Sequence, residues 1–241
     1  MWFIGFASSA DHMIDNLADQ LTPASMMKSI EDRLRSYKTD MLDMWRPVAA
    51  TWGQDKDDVG RRLTITRRIF GLAVEVFERA EQQGKVRFLG TSEHEPKVFH
   101  QVLEEYPQFQ VIIFPCFFLT KESGGGTLLK LAKEKDVGMI GMKPSGAGMA
   151  FGLRPRQQEQ GRPVTDRRAH MLLKQMLREE RISAIIPGVR IPGHLDENVK
   201  ASRERDLPKS AEEDQAVREC TESFYAHLTP QYQWLRKWEF A

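Results

Sequence analysis

The sequence predicts an α/β fold with a parallel sheet, and three observations predict it. Short apolar runs alternate with longer amphipathic stretches along the chain, six times over. The stretches begin and end on helix punctuation. The last two runs each stop at a Pro- or Gly-containing turn with a basic side chain close by: Lys143 after 137–142 and Arg190 after 182–186. Repeated strand–helix units imply parallel strands joined by right-handed crossovers. A doubly wound sheet can use six units, whereas a closed (β/α)8 barrel needs eight and typically about 250 residues.

The elements follow in order. Trp2–Ala7 reads as a strand. Thr22-Pro23 pairs a good N-cap with proline at the first helical position. Met27, Ile30 and Leu34 then recur at spacings of three and four, one face of a helix. Met41–Trp45 is a short apolar run, and residues 46–63 are polar and loop-like. Thr64–Gln83 predicts a long helix that buries Ile69, Ala73, Val76 and Ala80 and stops at Gly84. Lys85–Gly90 is strand and Glu95–Glu105 is helix. Val111–Phe114 is strand, Thr127–Lys135 helix and Val137–Met142 strand. A polar loop over 149–164 precedes a helix from Thr165-Asp166 to about Arg181. Strand Ile182–Ile186 and a helix from Pro192 to about Ser202 complete this region. Residues 1–202 therefore read as one sheet-and-helix domain. Residues 203–241 form a helical extension, with a charged helix over about 210–227 and the aromatic tail Tyr232–Phe240, expected to pack on the main body.

Composition narrows the function. The chain has 241 residues, enough for a sizeable core, with 41% hydrophobic and 29% charged residues. A net charge of +1 gives no electrostatic reason for nucleic acid or an anionic membrane as partner. No apolar run approaches the roughly 20 residues of a membrane span. The opening Met-Trp-Phe-Ile-Gly-Phe-Ala carries no basic leader. Cys116 and Cys220 lack metal-ligand spacing and read as free thiols in a reducing, cytoplasmic setting, with no metal site expected. The two late turns are phosphate-like. In β/α barrels the loops after the last two strands commonly hold a phosphate, which points to a nucleotide-type ligand. Read alone, Gly146 and Gly148 serve equally as loop-turning residues, Glu197-Asn198 as an exposed helix face, and Met139 and Met142 as strand core.

Four segments carry a resemblance, in order along the chain. They are Ser29-Ile-Glu-Asp-Arg-Leu-Arg-Ser-Tyr-Lys-Thr-Asp-Met-Leu-Asp43, Gly84-Lys-Val-Arg-Phe-Leu-Gly-Thr-Ser92, the segment Leu131–Pro144, and Ile186-Pro-Gly-Val-Arg-Ile-Pro-Gly-His-Leu-Asp-Glu-Asn198. Together they resemble the signatures of the aldo-keto reductases over about residues 1–202. The resemblance implies a (β/α)8 TIM-barrel fold, incomplete here at about six βα units, with Trp2–Ala7 as the family's third strand. It implies NADP(H) as cofactor and hydride transfer to a small-molecule carbonyl substrate. It implies cofactor contacts at Ser92, Lys143, Ser145, Gly146, Gly188, Arg190, His194, Glu197 and Asn198. Arg190, with its planar fork of donors, favours NADP over NAD.

The same resemblance puts the catalytic Asp and Tyr before Met1. It puts Ala7 where the family has Lys and Val48 where it has His, so no catalytic residue is assigned. Glu93 stands where the family has Asn, and Ile113 where it has Gln. Two further readings stand beside the reductase: a non-catalytic nucleotide-binding pseudo-reductase or interaction module, and a gene fragment. An incomplete barrel exposes sheet edges, so a homo-oligomer or a covering partner is also expected.

Overall fold

A computed structural model of the chain describes residues 21–47, 59–93, 96–116, 127–146, 148–152, 167–189 and 191–228. The chain divides into two compact units, Met1–Ile112 and Ile113–Ala241.

In the first unit the helices form where local signals place them. Helix α1 spans Pro23–Tyr37. The Thr22 hydroxyl accepts from the Ser25 N–H at 3.1 Å, and the Ser25 hydroxyl accepts from the Thr22 N–H at 2.9 Å. This reciprocal capping box satisfies two donors the helix leaves open. Lys38 ends the helix at φ 53, and the Thr39 N–H reaches back to the Leu34 carbonyl at 3.2 Å. Met26, Ile30 and Leu34 make the buried face. Strand β1 is Leu42–Trp45 and β2 is Val86–Ser92; they pair in parallel, Met44 opposite Phe88 and Trp45 opposite Leu89.

Between them runs α2, Val59–Gln82. Its buried side carries Ile69, Phe70, Ala73, Val76, Phe77 and Ala80, at helical spacing. Gly84, at φ 69, closes it, with Gly84 N–H to Glu81 at 2.8 Å and Lys85 N–H to Ala80 at 2.9 Å. Helix α3, Pro96–Glu105, buries Val98, Phe99, Val102 and Leu103. Phe70, Tyr106 and Phe109 pack as an aromatic trio, Phe70 and Phe109 with ring centroids 4.8 Å apart. Fully burying a ring such as Phe70 stabilises the unit by about 1.5–3 kcal/mol.

Strand β3, Phe109–Pro115, reaches into the second unit. There follow α4 (Thr127–Glu134), β4 (Gly138–Met142), a 3-10 turn (Met149–Phe151), α5 (Arg168–Leu177), β5 (Ala184–Ile186), α6 (Pro192–Arg203) and α7 (Ala211–Ala226). Strand β4 pairs with β5 in parallel, Ile140 opposite Ala184 and Met142 opposite Ile186. Gly141 permits a close approach, because a Cβ there would lie 2.7 Å from the Cys116 Cβ. Ser210 caps α7 by accepting from the Glu213 N–H at 3.1 Å. That helix packs on α5 and on the 3-10 turn. Between α5 and α7 lies a charged cluster almost sealed from solvent. Lys174 donates to Glu213 at 2.5 Å, and Arg178 donates to the same carboxylate at 2.8 Å; Lys174 and Glu213 are 5% and 4% exposed.

The five strands lie in one sheet in the order β1-β2-β3-β4-β5. A parallel sheet in sequence order with alternating helices is the incomplete (β/α)8 architecture. The expected strand Trp2–Ala7 and the tail Tyr232–Phe240 lie outside the described residues. Several boundaries move. Residues 59–63, expected as loop, are the first turn and a half of α2. The expected 165–181 helix runs only from Arg168 to Leu177, because the chain then tightens, with Glu179 N–H to Met176 and Ile182 N–H to Glu179. The last strand shortens to Ala184–Ile186, while β2 and β3 extend beyond their apolar centres. The 149–164 loop opens with the 3-10 turn.

Candidate functional site

Parallel pairing gathers the late turns. Met142 and Ile186 are opposite one another and end their strands, so the segments from Lys143 and from Pro187 leave the same end of the β4–β5 pair. In open and closed β/α folds, ligands bind at this carboxyl end.

The first segment is a tightly wound turn. Lys143 has φ 56, a left-handed backbone at a non-glycine residue directly before Pro144. Its carbonyl accepts from the Gly146 N–H at 2.9 Å. The Ser145 carbonyl accepts from Gly148 at 3.1 Å and Ala150 at 3.3 Å. Gly146, Gly148 and Gly152 supply further left-handed positions at φ 57, 88 and 75. Helix α7 lies across this turn. The Ser223 hydroxyl donates to the Met149 carbonyl at 3.1 Å, and the Phe224 ring covers Gly146 so closely that a Cβ there would sit 2.3 Å from Phe224 Cε2. The missing side chain of Gly146 is thus space used by Phe224. Lys143 and Ser145 remain half-buried, and burial lowers the Lys143 amine to about 8.

The second segment is open. Gly188 and Val189 are exposed, and Arg190 lies outside the described residues. Helix α6 starts from Ile191 with Pro192 in its first turn, no side-chain cap and no acidic residue in that turn. Such a helix start presents a positive dipole end to an anion, although Pro192 has no N–H and the His194 N–H turns back to the Ile191 carbonyl at 3.0 Å. His194 and Asn198 on this helix are half-buried and Glu197 is exposed. Lys143, Ser145, Gly146 and Gly188 therefore share one end of the β4–β5 pair, with His194, Glu197 and Asn198 on the first two turns of the helix that follows.

Ser92 belongs to the first unit, where it ends β2, half-buried. Glu93 beside it is 1% exposed, and the Thr91 hydroxyl is buried without a hydrogen-bond partner among the described residues. Arg46 follows β1, the parallel neighbour of β2. Burial pulls its guanidinium down from its ordinary value, and the Glu93 carboxylate pulls it back part of the way. Sequence reasoning singled out Glu93 but missed Arg46. The available signal was position, since each residue directly follows one of two consecutive strands. Ala7, Val48 and His94 lie outside the described residues. Among the described residues no cluster of His, Cys, Asp and Glu could hold a metal ion, and no helix is long and apolar enough to cross a membrane.

The chain is similar in fold to several solved structures. An aldo-keto reductase from Bacillus halodurans, in its apo form, superposes with a TM-score of 0.56 at 18% identity, over 83% of this chain and 69% of its own. The holo form of that enzyme gives 0.55 at 19% identity, over 83% and 67%. An aldo/keto reductase from Brucella melitensis gives 0.54 at 14% identity, over 84% and 69%. At such identities the likeness speaks for the fold. Among curated proteins none matches the sequence significantly. The profile of the Aldo/keto reductase family matches residues 12–171, well over half of the sequence. The strand order, the turns at the carboxyl end of β4 and β5, and this match agree: the chain belongs to the aldo/keto reductase family.

Proposed function

We propose that this chain is a nicotinamide-nucleotide-binding member of its oxidoreductase family, taking NADPH in preference to NADH. One observation carries the reading: parallel pairing of Met142 with Ile186 brings the Lys143–Gly146 turn beside Pro187-Gly188 and the uncapped start of α6. That arrangement fits a phosphate-bearing ligand. Exposed Gly188 allows close backbone approach, the positive end of the α6 dipole suits the anionic part, and His194, Glu197 and Asn198 border it; the family resemblance adds the guanidinium of Arg190. Lys143 and Ser145 line the β4 side. When bound, NADPH supplies a hydride for a carbonyl carbon. The holo form of the Bacillus halodurans relative supports a cofactor-binding reading of the fold.

Turnover is expected to be weak. Ala7 and Val48 fall where the family resemblance calls for Lys and His, and neither side chain supplies a charge or a proton at the carbonyl. This favours the second reading, a nucleotide-binding pseudo-reductase, over an efficient reductase. The buried thiols Cys116 and Cys220 fit a reducing, cytoplasmic location.

The test is a titration with NADPH and, separately, NADH, followed by quenching of the five tryptophans. Micromolar binding with NADPH preferred supports the proposal. Folded protein that binds neither nucleotide refutes it. A panel of aldehydes and ketones with NADPH then separates reductase from pseudo-reductase.

A further inference from the structure

Helix α6 carries apolar side chains where a surface helix is ordinarily polar. Among the described elements it packs chiefly against α5, and Ala201 is its one buried residue. His194, Asn198 and Ala201, at spacings of four and three, make the inward stripe. Pro192, Leu195 and Val199 recur at spacings of three and four on another face. All three are exposed, Leu195 at 54% and Val199 at 40%. At 3.6 residues per turn the centres of the two stripes lie about 130° apart. Val189 before the helix and Leu207 after it are exposed as well. One exposed leucine is ordinary, but an apolar stripe two turns long is the pattern of a helix that packs on another.

The sheet ends at the same place. Strand β5 is outermost in the strand order, and none of its residues is fully buried: Ala184 is exposed, and Ile185 and Ile186 are half-buried. Strands of a parallel sheet are ordinarily covered on both faces. The β5–α6 unit is therefore a margin of the sheet that turns apolar surface to solvent.

The charges beside the stripe indicate what covers it. Asp196 and Arg203 are exposed and seven residues apart, so they flank the same side of the stripe, two turns and about 10 Å from each other. Neither makes an ion pair among the described residues. A second α6 laid antiparallel, about a twofold axis beside Val199, brings each Asp196 to the Arg203 of the other copy and lays stripe on stripe. The two helix dipoles then oppose, which is also favourable. A parallel copy in register would instead set Asp196 against Asp196. The face is thus self-complementary in one orientation.

We propose that the outer face of α6 is a self-association surface whose occupant is α6 of a second copy of this chain, antiparallel to the first. Leu195 and Val199 form the apolar centre, and two Asp196–Arg203 pairs fix the direction. The surface lies on a different face from His194 and Asn198, so the inference does not rest on nucleotide binding.

The experiment is sedimentation velocity on the full chain. The mass is expected to rise from that of one chain towards that of two between about 1 and 100 µM. Leu195→Glu should weaken association at least tenfold and leave the circular dichroism melt unchanged, since the side chain it replaces is exposed. Asp196→Arg and Arg203→Asp should each weaken association, because like charges then face one another. An equimolar mixture of those two variants should regain it, because in the mixed pair every arginine meets an aspartate. A wild-type chain that stays monomeric overturns the proposal, whether the face is left bare, is taken by another segment of the same chain or awaits a different protein. A dimer that Leu195→Glu leaves intact overturns it too, as does a mixture no more associated than its components. Wild type and Leu195→Glu decide the matter should a charge variant fail to fold.

Discussion

Removing the Glu213 carboxylate should be among the most damaging single changes outside the apolar core. Glu213 receives Lys174 at 2.5 Å and Arg178 at 2.8 Å, and the Lys174 and Glu213 side chains are each 6% exposed. Arg178 also donates to the carbonyls of Arg205 at 3.0 Å and Leu207 at 2.9 Å, which ties the connection before α7 to the end of α5. In Glu213→Ala the ammonium of Lys174 stays buried without its counter-charge. Breaking a buried pair from one side costs about 3–5 kcal/mol, because one charge is left uncompensated. For a chain of this length each kcal/mol shifts Tm by about 2–4 °C, so the expected loss lies between about 6 and 20 °C. Thermal unfolding followed by circular dichroism measures it. Replacing both partners, as Lys174→Met with Glu213→Leu, should recover most of the loss, since a well-packed apolar pair is often as stable as the ion pair. The pH dependence has a definite sign. Burial pushes the Glu213 carboxyl up, but the hydrogen bonds from Lys174 and Arg178 outweigh it and hold the group below its ordinary 4.5. Its contribution is therefore complete above about pH 4.5 and is lost as pH falls through the lower folded value. A Tm within 2 °C of wild type for Glu213→Ala, or a double variant as damaged as the single one, would refute the reasoning.

Three other outcomes are expected. Gly146→Ala places a Cβ 2.3 Å from the Phe224 ring at a φ of +57, so urea unfolding should show a loss of at least about 2 kcal/mol, partly recovered by Phe224→Leu. Lys143→Met removes an amine whose folded value, about 8, lies below its ordinary 10.5. The wild type is penalised fully below pH 8 and is relieved between 8 and 10.5, so the variant should be more stable at pH 7 and lose that advantage as pH rises; an advantage that grows with pH contradicts this sign. Arg67→Met breaks an ion pair with Glu105 in which the Arg67 side chain is 57% exposed, and should cost under about 1 kcal/mol by the same unfolding assay.

What was legible in the sequence is what the chain encodes locally. Thr22-Pro23 before a 3-4 apolar spacing, and Gly84 after one, announce α1 and the end of α2 because caps and helix stops act within five residues. The alternation of apolar runs with helices announced the parallel sheet for the same reason. The carboxyl-end turns after Met142 and Ile186 were legible too, since each follows directly from where a strand stops. The charged helix over 210–227 was not legible in its role. Glu213 reads as one more acidic residue in a run of three, and only Lys174 and Arg178, 39 and 35 positions earlier, turn it into a buried anchor.

Gly146 shows the same limit at the site itself. A glycine after a strand can admit a phosphate to the backbone or a side chain to the space its Cβ would fill, and the sequence weighs both equally. The ring that takes that space belongs to a helix on the far side of two intervening helices in the chain. Phe224 fixes the turn, and the turn holds the left-handed backbone of Lys143 at the carboxyl end of β4.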